Sequence, residues 1–483
     1  MSLQSLHLTN SWFDIPESFY SCVDPTPLQS PFFVHFNHQL GQDLGLDIED
    51  RCMLECFNGE NLLPNMHPIA SVYAGHQFGI FTSQLGDGRA ILLGEIHTEN
   101  GHKYELQLKG AGLTPYSRTM DGRYSLRGAI REYLASKALT SLGISSTQAL
   151  CLLGSESTMG KNETDTAAIL VRVASSHIRF GHFEYFYHRD DFVGLQTMFD
   201  YVVEQHFPQL LNEPAEHRPL LLLQTVIIRT AKLIADWQSV GFTHGVMNTD
   251  NMTLSGETLD LGPFGFMETF DSSFSPNSSD DQQRYQFDQQ ADIGRWNCLA
   301  LAQAFTPLLK ISVIPASLLR LYRQTYQQHY LANMRAKLGL QVEHAEDNDF
   351  ITRLLLLLHQ NQIDYTRFFR GLAQHQLENN NLCLFKEVTT KPSLVKWLDD
   401  YQQRLAIETA SSIQRQKQMN SVNPSYILRE HVIEQVIHSV EQGDFSKLDK
   451  VMSLLDKPFD DLFGFDFYSA PQLTNLVTEL QQA

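Results

Sequence analysis

Cysteine is scarce in this chain, and the cysteines that are present form no pattern. The 483 residues include six cysteines, at positions 22, 52, 56, 151, 298 and 383. Only Cys52 and Cys56 lie close together, and neither a second pair nor a histidine doublet completes a zinc motif. The spacing excludes a disulfide scaffold, and scattered reduced thiols are typical of a cytoplasmic protein.

Long hydrophobic runs and an excess of positive charge are also missing. The longest apolar runs, Leu220–Leu223 and Leu354–Leu358, are far too short to cross a bilayer. The first twenty residues lack the basic start and apolar core of a signal peptide and the arginine-rich composition of a transit peptide. With 36 basic and 55 acidic residues, the formal net charge is −19, which disfavours nucleic-acid binding. We therefore expect a cytoplasmic protein with no membrane partner and no nucleic-acid partner.

The first part of the chain has the patterns of β-strands. Hydrophobic residues make up 42% of the sequence, enough for two packed lobes. Residues 1 to about 65 look irregular. Ala90–His97 is a predicted strand, and Asn100-Gly101 predicts a tight hairpin. In the returning strand polar and apolar residues alternate up to Lys109, which lies on the polar face. Two more strands are expected near 148–153 and 167–174.

The spacing of apolar residues predicts one helix in the first part of the chain and mostly helices from about residue 190. That earlier helix is predicted over Leu126–Leu142, with Ser125 as its cap, and it contains Glu132. From about residue 190 the apolar residues recur at helical spacing, and the longest such stripe runs from Leu318 to Leu338. A second hairpin is expected over 252–259, and residues 272–283 are expected to form a loop.

The segment HGVMNTDN at 244–251, followed by Asp260, is the most informative part of the sequence. It predicts a short loop that presents Asp250 and Asn251, then a hairpin, then the second carboxylate. Two carboxylates and one amide oxygen suit a divalent cation bound to nucleotide phosphates, because hard cations take hard oxygen ligands. This spacing indicates a nucleotide-dependent transferase.

The order of these features is that of a protein kinase. A glycine loop, a strand lysine and a helix glutamate precede the metal-binding loop. We predict an α+β, protein-kinase-like two-lobe fold. Residues 1–185 would form an N-terminal extension and a β-rich nucleotide-binding lobe. Residues 186–483 would form a mostly helical lobe with the metal-binding catalytic loop and a C-terminal helical extension.

One departure from the kinase pattern concerns the catalytic base. In kinases the metal-binding Asn follows the catalytic Asp by five positions, and five positions before Asn251 is Val246. The nearest remaining carboxylate is Asp250. The position after His244 is Gly245, so an arginine that could pair with a phosphorylated activation loop is missing.

Over most of its length the chain resembles the selenoprotein O family of protein adenylyltransferases. The resemblance lies in these segments: YAGHQFG (73–79), QLGDGRA (84–90), QLKGAGLTPYSR (107–118), DG (121–122), SLR (125–127), REY (131–133), RVASSHIRFG (172–181), HGVMNTDN (244–251) and DLGPFGF (260–266). It implies transfer of AMP from ATP to Ser, Thr or Tyr hydroxyls of proteins, with ATP bound in reverse relative to kinases.

The resemblance also assigns roles to individual residues. The residues implied to contact ATP are Gly86, Gly88, Arg89, Lys109, Asp121, Gly122, Arg172, Arg179 and Asp260. Asn251 and Asp260 are implied to bind Mg²⁺ or Mn²⁺, Asp250 to act as the base, and Glu132 to pair with Lys109. A redox-active residue near the C-terminus of some family members has no counterpart here, because residues 467–472 contain no cysteine.

The number of cations fits the chemistry that the resemblance implies. Attack at the α-phosphorus makes pyrophosphate the leaving group, which has more negative charge than the single phosphoryl group that a kinase transfers. Three arginines beside Lys109 could neutralise it, since guanidinium groups match the geometry of phosphate oxygens. Two alternatives stay open from the residues alone: phosphoryl transfer from the same cleft, and a non-catalytic nucleotide-binding pseudokinase scaffold.

Each motif also has an ordinary structural interpretation. Gly86-x-Gly88 alone is more often a plain turn, and Lys109 and Glu132 alone would be solvated surface charges. The three histidines at 177, 182 and 188 lack the paired i, i+4 spacing of metal ligands, so we expect them to serve packing. The functional interpretation depends on all the motifs occurring together in kinase order.

Overall fold

β-Structure is concentrated in the N-terminal part of the chain and helices in the C-terminal part. The computed structural model describes residues 8–46, 52–159, 162–373, 388 and 390–460. Over these residues the protein is mixed α+β, as predicted for a two-lobe kinase-like fold. The expected lobe boundary at 185/186 falls inside the helix Phe180–Tyr187, and that division stays a prediction.

Short strands surround a few long ones. The strands are β1 Leu8–Thr9, β2 Tyr20–Cys22, β3 Phe32–Phe36, β4 Ile69–Ser71, β5 Gly75–Gln77, β6 Ile80–Thr82, β7 Ala90–His97, β8 Lys103–Lys109, β9 Tyr124–Ser125, β10 Gln148–Met159, β11 Asn162–Ala174, β12 Phe242–Thr243 and β13 Gly265–Phe266. The main sheet is antiparallel, in the order β2-β4-β7-β8-β11-β10-β3. β1 also pairs with β7 and β9 with β11, while β5–β6 and β12–β13 form separate ribbons.

Helices account for most of the chain beyond the sheet. They are α1 His38–Asp43, α2 Cys52–Phe57, α3 Leu126–Ser141, α4 Phe180–Tyr187, α5 Phe192–His206, α6 Arg218–Ser239, α7 Gln290–Ala304, α8 Thr306–Leu309, α9 Ala316–Lys337, α10 Asp347–Gln360, α11 Tyr365–Ala373, α12 Pro392–Leu405, α13 Ser412–Asn420, α14 Glu430–Glu441 and α15 Ser446–Leu455. Short 3₁₀ helices lie at Ser11–Asp14, Glu17–Phe19, Pro208–Asn212, Thr249–Asn251 and Phe287–Gln289.

The predicted β7–β8 hairpin and helix α3 are both confirmed. Gly101 has φ +79° at the hairpin turn, a conformation that glycine adopts without strain. Ser125 caps α3, since its hydroxyl accepts from the Gly128 amide at 3.2 Å. One side of α3 packs on the sheet. On the other side Arg127 pairs with Glu434 of α14 at 2.6 Å, so α3 lies between the sheet and the helices α14 and α15.

Two sequence predictions need correction. Residues 1 to about 65 are not wholly irregular: β3 joins the main sheet beside β10, and α1 and α2 pack against the same sheet. These elements are too short to give a periodic pattern, so tertiary contacts determine them. The hairpin expected over 252–259 is reduced to one bridge, between Met252 and Thr258. The flanking residues pair instead with other loops, Arg179 with Thr253 and Ser146 with Thr258.

The polar face of β8 is buried, although its alternating pattern is typical of a solvated face. Glu105, Gln107 and Lys109 are at most 5% exposed. Glu105 accepts from the His177 backbone amide at 2.7 Å, and Gln107 accepts from Arg172 at 3.3 Å. This face therefore packs against polar partners rather than water, and Lys109 lies at the end of it that reaches Asp260.

The cysteines differ in burial, and the helices are consistent with the short apolar runs of the sequence. We expected buried thiols, and Cys56, Cys151 and Cys298 are buried, but Cys22 and Cys52 are exposed. Cys383 and residues 467–472 lie outside the described residues. Burial raises the pKa of Cys298 to about 12, which keeps it protonated and unreactive. Within the described part of the chain, no helix combines the length and the apolar character needed to cross a membrane.

Candidate active site

A cleft lies between the main sheet and the loop that follows α6. Its cavity of about 430 Å³ is within the range of small-molecule sites. Most of the site residues expected from the sequence line it: Gly86, Gly88, Arg89, Lys109, Arg172, Arg179, Asp250, Asn251 and Asp260. Residues from four separate stretches of the sequence therefore meet in one cavity.

The glycine turn before β7 forms one wall of the cleft. Gly86 has φ +142°, and a Cβ added to it would lie 2.4 Å from the Tyr116 ring. A Cβ on Gly88 would lie 2.9 Å from the Tyr116 carbonyl oxygen. Between them, Asp87 is buried and accepts from both the backbone amide and the hydroxyl of Ser71. A side chain at either position would clash with the Tyr116 segment, so the two glycines let the turn pack closely against it.

Lys109 and Glu132 form the buried ion pair that the sequence predicts. The Lys109 Nζ donates to Glu132 Oε2 at 2.7 Å, and both side chains are at most 6% exposed. Glu132 also accepts from the Tyr124 hydroxyl at 2.8 Å and from Arg172 Nε at 2.6 Å. Burial opposes ionisation of Glu132, but Arg172 and Lys109 outweigh it and lower its pKa. Burial and the neighbouring Arg172 lower the pKa of Lys109, while Glu132 is held in its ionised form and contacts both cations at the wall of the cleft.

Asp260 is the point on which three cations converge. It accepts from Lys109 Nζ at 2.9 Å, from Arg179 Nη1 at 2.6 Å, and from Arg172. Burial alone would raise its pKa, but Arg172, Lys109 and Arg179 hold it well below the usual range. Its φ is +59°, a left-handed conformation that is uncommon for residues other than glycine and that occurs at functional sites. The three cations thus favour the ionised form of Asp260.

Asp250 lies on the same side of the cleft but in a different environment. It is 7% exposed, Oδ2 accepts from Gln77 Nε2 at 3.2 Å, and the buried Oδ1 has no hydrogen-bond partner. Burial raises its pKa from 3.8 to about 6, against the opposing effect of Arg179. Two carboxylates with pKa values moved in opposite directions are the arrangement expected of a base and a charge-holding group.

Asn251 is oriented by the backbone of its own loop. Its amide nitrogen donates to the Val246 carbonyl oxygen at 3.0 Å, so the side-chain oxygen is the atom that can take a cation. Together with the Asp260 carboxylate, this gives hard oxygen ligands at the cleft. The donor set therefore fits a divalent cation that keeps waters or phosphate oxygens as its other ligands.

Comparison with known proteins settles the family. The family model described as protein adenylyltransferase SelO matches residues 2–456. The chain belongs to this family. A protein nucleotidyltransferase YdiU of Enterobacter sp. (strain 638) is 42% identical over 470 residues, which is 97% of each chain. The YdiU of Thioalkalivibrio sulfidiphilus (strain HL-EbGR7) is 43% identical over 478 residues, which is 97% of this chain and 96% of the relative.

The family identity states the enzyme class. As a member of the SelO family, the chain is a protein nucleotidyltransferase, as the sequence predicts. Such an enzyme uses a nucleotide and typically a divalent metal.

Three of the expected site residues do not line the cavity. Glu132 lies behind Lys109, in the supporting position expected of it. Asp121 is exposed and accepts from the Arg123 backbone amide at 3.0 Å. Gly122 has φ +72° and its carbonyl oxygen accepts from the Gly112 amide at 3.1 Å, so it shapes the loop that also contributes Arg118 and Met120 to the cleft. Their contact with ATP stays a prediction.

Several other residues of the cleft had no role predicted from the sequence. Gln77 contacts Asp250, and the Tyr124 ring lies 4.6 Å from both the Arg89 guanidinium and the Lys109 ammonium group. Asn248 accepts from the Phe78 amide and the Tyr285 hydroxyl, which joins the 244–251 loop to the segment between β5 and β6. Gln77 and Phe78 lie in the 73–79 motif, so a signal was present, but it did not specify their contacts.

Proposed function

We propose that this protein transfers AMP from ATP to Ser, Thr or Tyr hydroxyls of other proteins and releases pyrophosphate. The observation that supports this most is the pairing of two unlike carboxylates in one cleft. Asp250 is buried with one unpartnered oxygen, while Asp260 is ionised and held by three cations. Val246 occupies the position of the kinase base, so a kinase mechanism has no group at its usual place.

ATP would bind against the cationic wall of the cleft. Gly86, Gly88 and Arg89 would contact it from the glycine turn, and Asp121 and Gly122 from the neighbouring loop. Lys109, Arg172, Arg179 and Asp260 line the same cavity. In this proposal residues 1–185 form the nucleotide-binding lobe, and residues 186–483 form the lobe that provides the base and the metal ligands.

Asn251 and Asp260 would hold the divalent cation, either Mg²⁺ or Mn²⁺. Their oxygen donors suit both ions, and imidazole or thiolate groups that would favour softer metals are not part of this pair. When bound, the cation would neutralise phosphate charge and fix the orientation of the triphosphate. Asp260 retains its negative charge across the physiological range, as a metal ligand must.

The chemical step assigns one task to each group. Asp250 takes the proton from the attacking hydroxyl as its oxygen forms a bond to the α-phosphorus of ATP. The bond from that phosphorus to the bridging oxygen of the β-phosphate breaks, and the electron pair leaves with pyrophosphate. Lys109, Arg172 and Arg179 stabilise the charge on the leaving group, and single donors of this kind contribute about 3 kcal/mol. A base with a pKa of about 6 is mostly ionised at neutral pH and ready to accept a proton.

Position-specific labelling of ATP tests the proposal. The full-length protein is incubated with divalent cation and nucleotide-free cell extract, once with ATP labelled at the α-phosphate and once with label at the γ-phosphate. We expect protein labelling from the α position only, together with pyrophosphate release, and none with Asp260→Ala. Label from the γ position alone would establish phosphoryl transfer instead. Nucleotide binding with no label from either position would identify a non-catalytic scaffold.

A further inference from the structure

A second group of chemically reactive side chains lies outside the cleft, behind the β5–β6 ribbon. His76, Glu184 and His188 each direct a nitrogen or oxygen donor atom to a common point, and these atoms lie within 4.8 Å of one another. The closest pair is His76 Nδ1 and Glu184 Oε1, at 2.5 Å. None of the three residues lines the cleft cavity.

The fold places these residues together through one helix and one strand. Glu184 lies in α4 and His188 is the residue that ends it, so the two are one helical turn apart and on the same face. His76 is the middle residue of β5. A search for paired histidines at i, i+4 misses this arrangement, because one ligand of the helical pair is a carboxylate.

The neighbouring histidines have other partners and do not belong to this group. His177 contacts Glu105 through both its backbone amide and its ring, at 2.7 and 2.8 Å. The His182 ring lies 3.2 Å from the Ser71 hydroxyl. These two rings therefore have partners of their own, as expected of histidines without a metal role. His188 instead lies beside His76 and Glu184.

Glu184 is the least expected member of the group, because it is fully buried. Its Oε2 has no hydrogen-bond partner. A buried carboxylate oxygen without a partner is costly, and a cation bound beside it would remove that cost. The Phe81 ring packs 4.0 Å from the His188 ring, and the Trp296 ring lies 5.1 Å from the His76 ring, so aromatic walls enclose the donors.

We propose that His76, Glu184 and His188 bind a Zn²⁺ ion. Two imidazoles and one carboxylate are a three-residue zinc set that leaves the fourth position to water, and imidazole selects against Mg²⁺ and Ca²⁺. Donor atoms around a tetrahedral ion with bonds of 2.0–2.1 Å lie about 3.3 Å apart. Small rotations of the side chains would bring the present cluster to that spacing. His188 is exposed, so the ion has a route from solvent.

The location gives this site a structural link to the proposed catalytic base. The His76 backbone amide donates to the Thr249 hydroxyl at 2.7 Å, and the next residue, Gln77, contacts Asp250. An ion that fixes His76 to α4 would therefore hold β5 against the 3₁₀ turn Thr249–Asn251. The zinc site does not depend on the proposed AMP transfer, because ion binding can be measured without any turnover.

Zinc affinity of the full-length protein tests the site. Protein freed of metal by chelation is titrated with Zn²⁺ against a chromophoric chelator, and with Co²⁺ as a spectroscopic substitute. We expect one equivalent of tight binding and a visible Co²⁺ spectrum typical of nitrogen and oxygen ligands. His188→Ala should weaken Zn²⁺ binding by more than the roughly 10–100-fold that the loss of an outer-shell partner costs. Because His188 is exposed, this variant should fold normally.

The matched control is His217→Ala, which removes an exposed histidine far from the cluster in the sequence. It should bind Zn²⁺ like the unaltered protein. Glu184→Gln, which keeps the shape but removes the charge, should also lose tight binding. Equal affinities of the unaltered protein and His188→Ala would overturn the proposal, as would a lack of stoichiometric binding. A thiolate signature in the Co²⁺ spectrum would also overturn it, because it would assign the ion to cysteines.

Discussion

The side-chain amide of Gln77 donates a hydrogen bond to Asp250 Oδ2 across 3.2 Å. This contact joins a ribbon from the first part of the chain to the 244–251 loop, 173 residues later. The hydrogen bond also lowers the pKa of Asp250, because the donor favours the ionised carboxylate. The two residues should therefore be coupled in the pH dependence of the reaction.

Gln77→Leu should shift the acid side of the pH profile. Asp250 is ionised above its pKa of about 6, so activity should fall as the pH decreases through that value. Loss of the Gln77 donor removes an interaction with the charged form and raises this pKa further, by about one unit. The measurement is kcat/KM from pH 5 to 8 with α-labelled ATP. An unchanged acid limb in Gln77→Leu would show that another group controls it.

Asp250→Asn should reduce the rate by about 10²–10⁴-fold while nucleotide affinity stays within a few-fold, because only proton transfer is lost. It should also stabilise the protein. The folded-state pKa of Asp250 lies above the ordinary value of 3.8, so its stabilising contribution is present below pH 3.8 and is lost as the pH rises to about 6. The neutral amide avoids that loss, which is about 3 kcal/mol at pH 8. Thermal unfolding at pH 8 and pH 4 measures this, and a gain of equal size at both values would contradict it.

Glu132→Gln should destabilise the protein and weaken nucleotide binding. The change leaves Lys109 and Arg172 buried without one of their two carboxylates, and breaking a buried pair costs about 3 kcal/mol or more. Chemical denaturation and nucleotide titration measure the two effects. Glu99→Gln is the control, because Glu99 is exposed at the β7–β8 turn and its replacement should change stability by less than about 0.5 kcal/mol.

Removal of divalent cations should abolish labelling, and added Mg²⁺ or Mn²⁺ should restore it. Asn251→Ala should raise the cation concentration for half-maximal rate by at least about tenfold, since it removes a ligand oxygen. Asn251→Asp also loses the hydrogen bond to Val246 but keeps an oxygen donor, so it should regain part of the affinity. If both variants are equally impaired, the Asn251 contribution is the loop contact rather than the cation.

Gly75→Ala should impair the reaction without removing any charged or polar group. A Cβ on Gly75 would lie 2.6 Å from Asp250 Oδ1, and the backbone at this position is otherwise suitable for alanine. The carboxylate must move, and a displacement of about 1 Å can cost 10²-fold in rate. The rate of labelling from α-labelled ATP measures the effect. Gly101→Asn serves as the control, because that turn has open space and asparagine tolerates positive φ. Equal rates for the two variants would place the reactive carboxylate elsewhere.

Elements with local signals were predictable from the sequence. The β7–β8 hairpin has a turn dipeptide and alternating strands, and α3 has a serine cap and a terminal glycine, so both were placed within a residue or two. β3 had no such signal, because its pairing with β10 depends on residues more than a hundred positions away. The sequence predicted a shared site only because its motifs occur together in kinase order and resemble one family. That site contains Lys109, Arg172, Asn251 and Asp260.

The environments of the site residues could not be predicted from the sequence. Lys109 alternates with apolar neighbours as a solvated lysine would, yet it is 5% exposed, because the packing over β8 comes from distant parts of the chain. The unequal pKa values of Asp250 and Asp260 depend on how many cations reach each carboxylate, which is a matter of three-dimensional distance. The metal-ligand geometry of His76, Glu184 and His188 joins a strand and a helix more than a hundred residues apart in sequence.

The position of α3 between the sheet and the helices α14 and α15 has a consequence for control of the enzyme. Kinases often switch by swinging the equivalent helix so that its glutamate leaves the lysine. Here Arg131 pairs with Glu430 at 2.5 Å and Lys137 pairs with Asp456, in addition to the contact of Arg127. These three ion pairs join α3 to α14 and to the residue after α15, and they support the helix in the position where Glu132 contacts Lys109. Shortening the chain before residue 430 would remove these ion pairs and loosen one wall of the cleft from a distance.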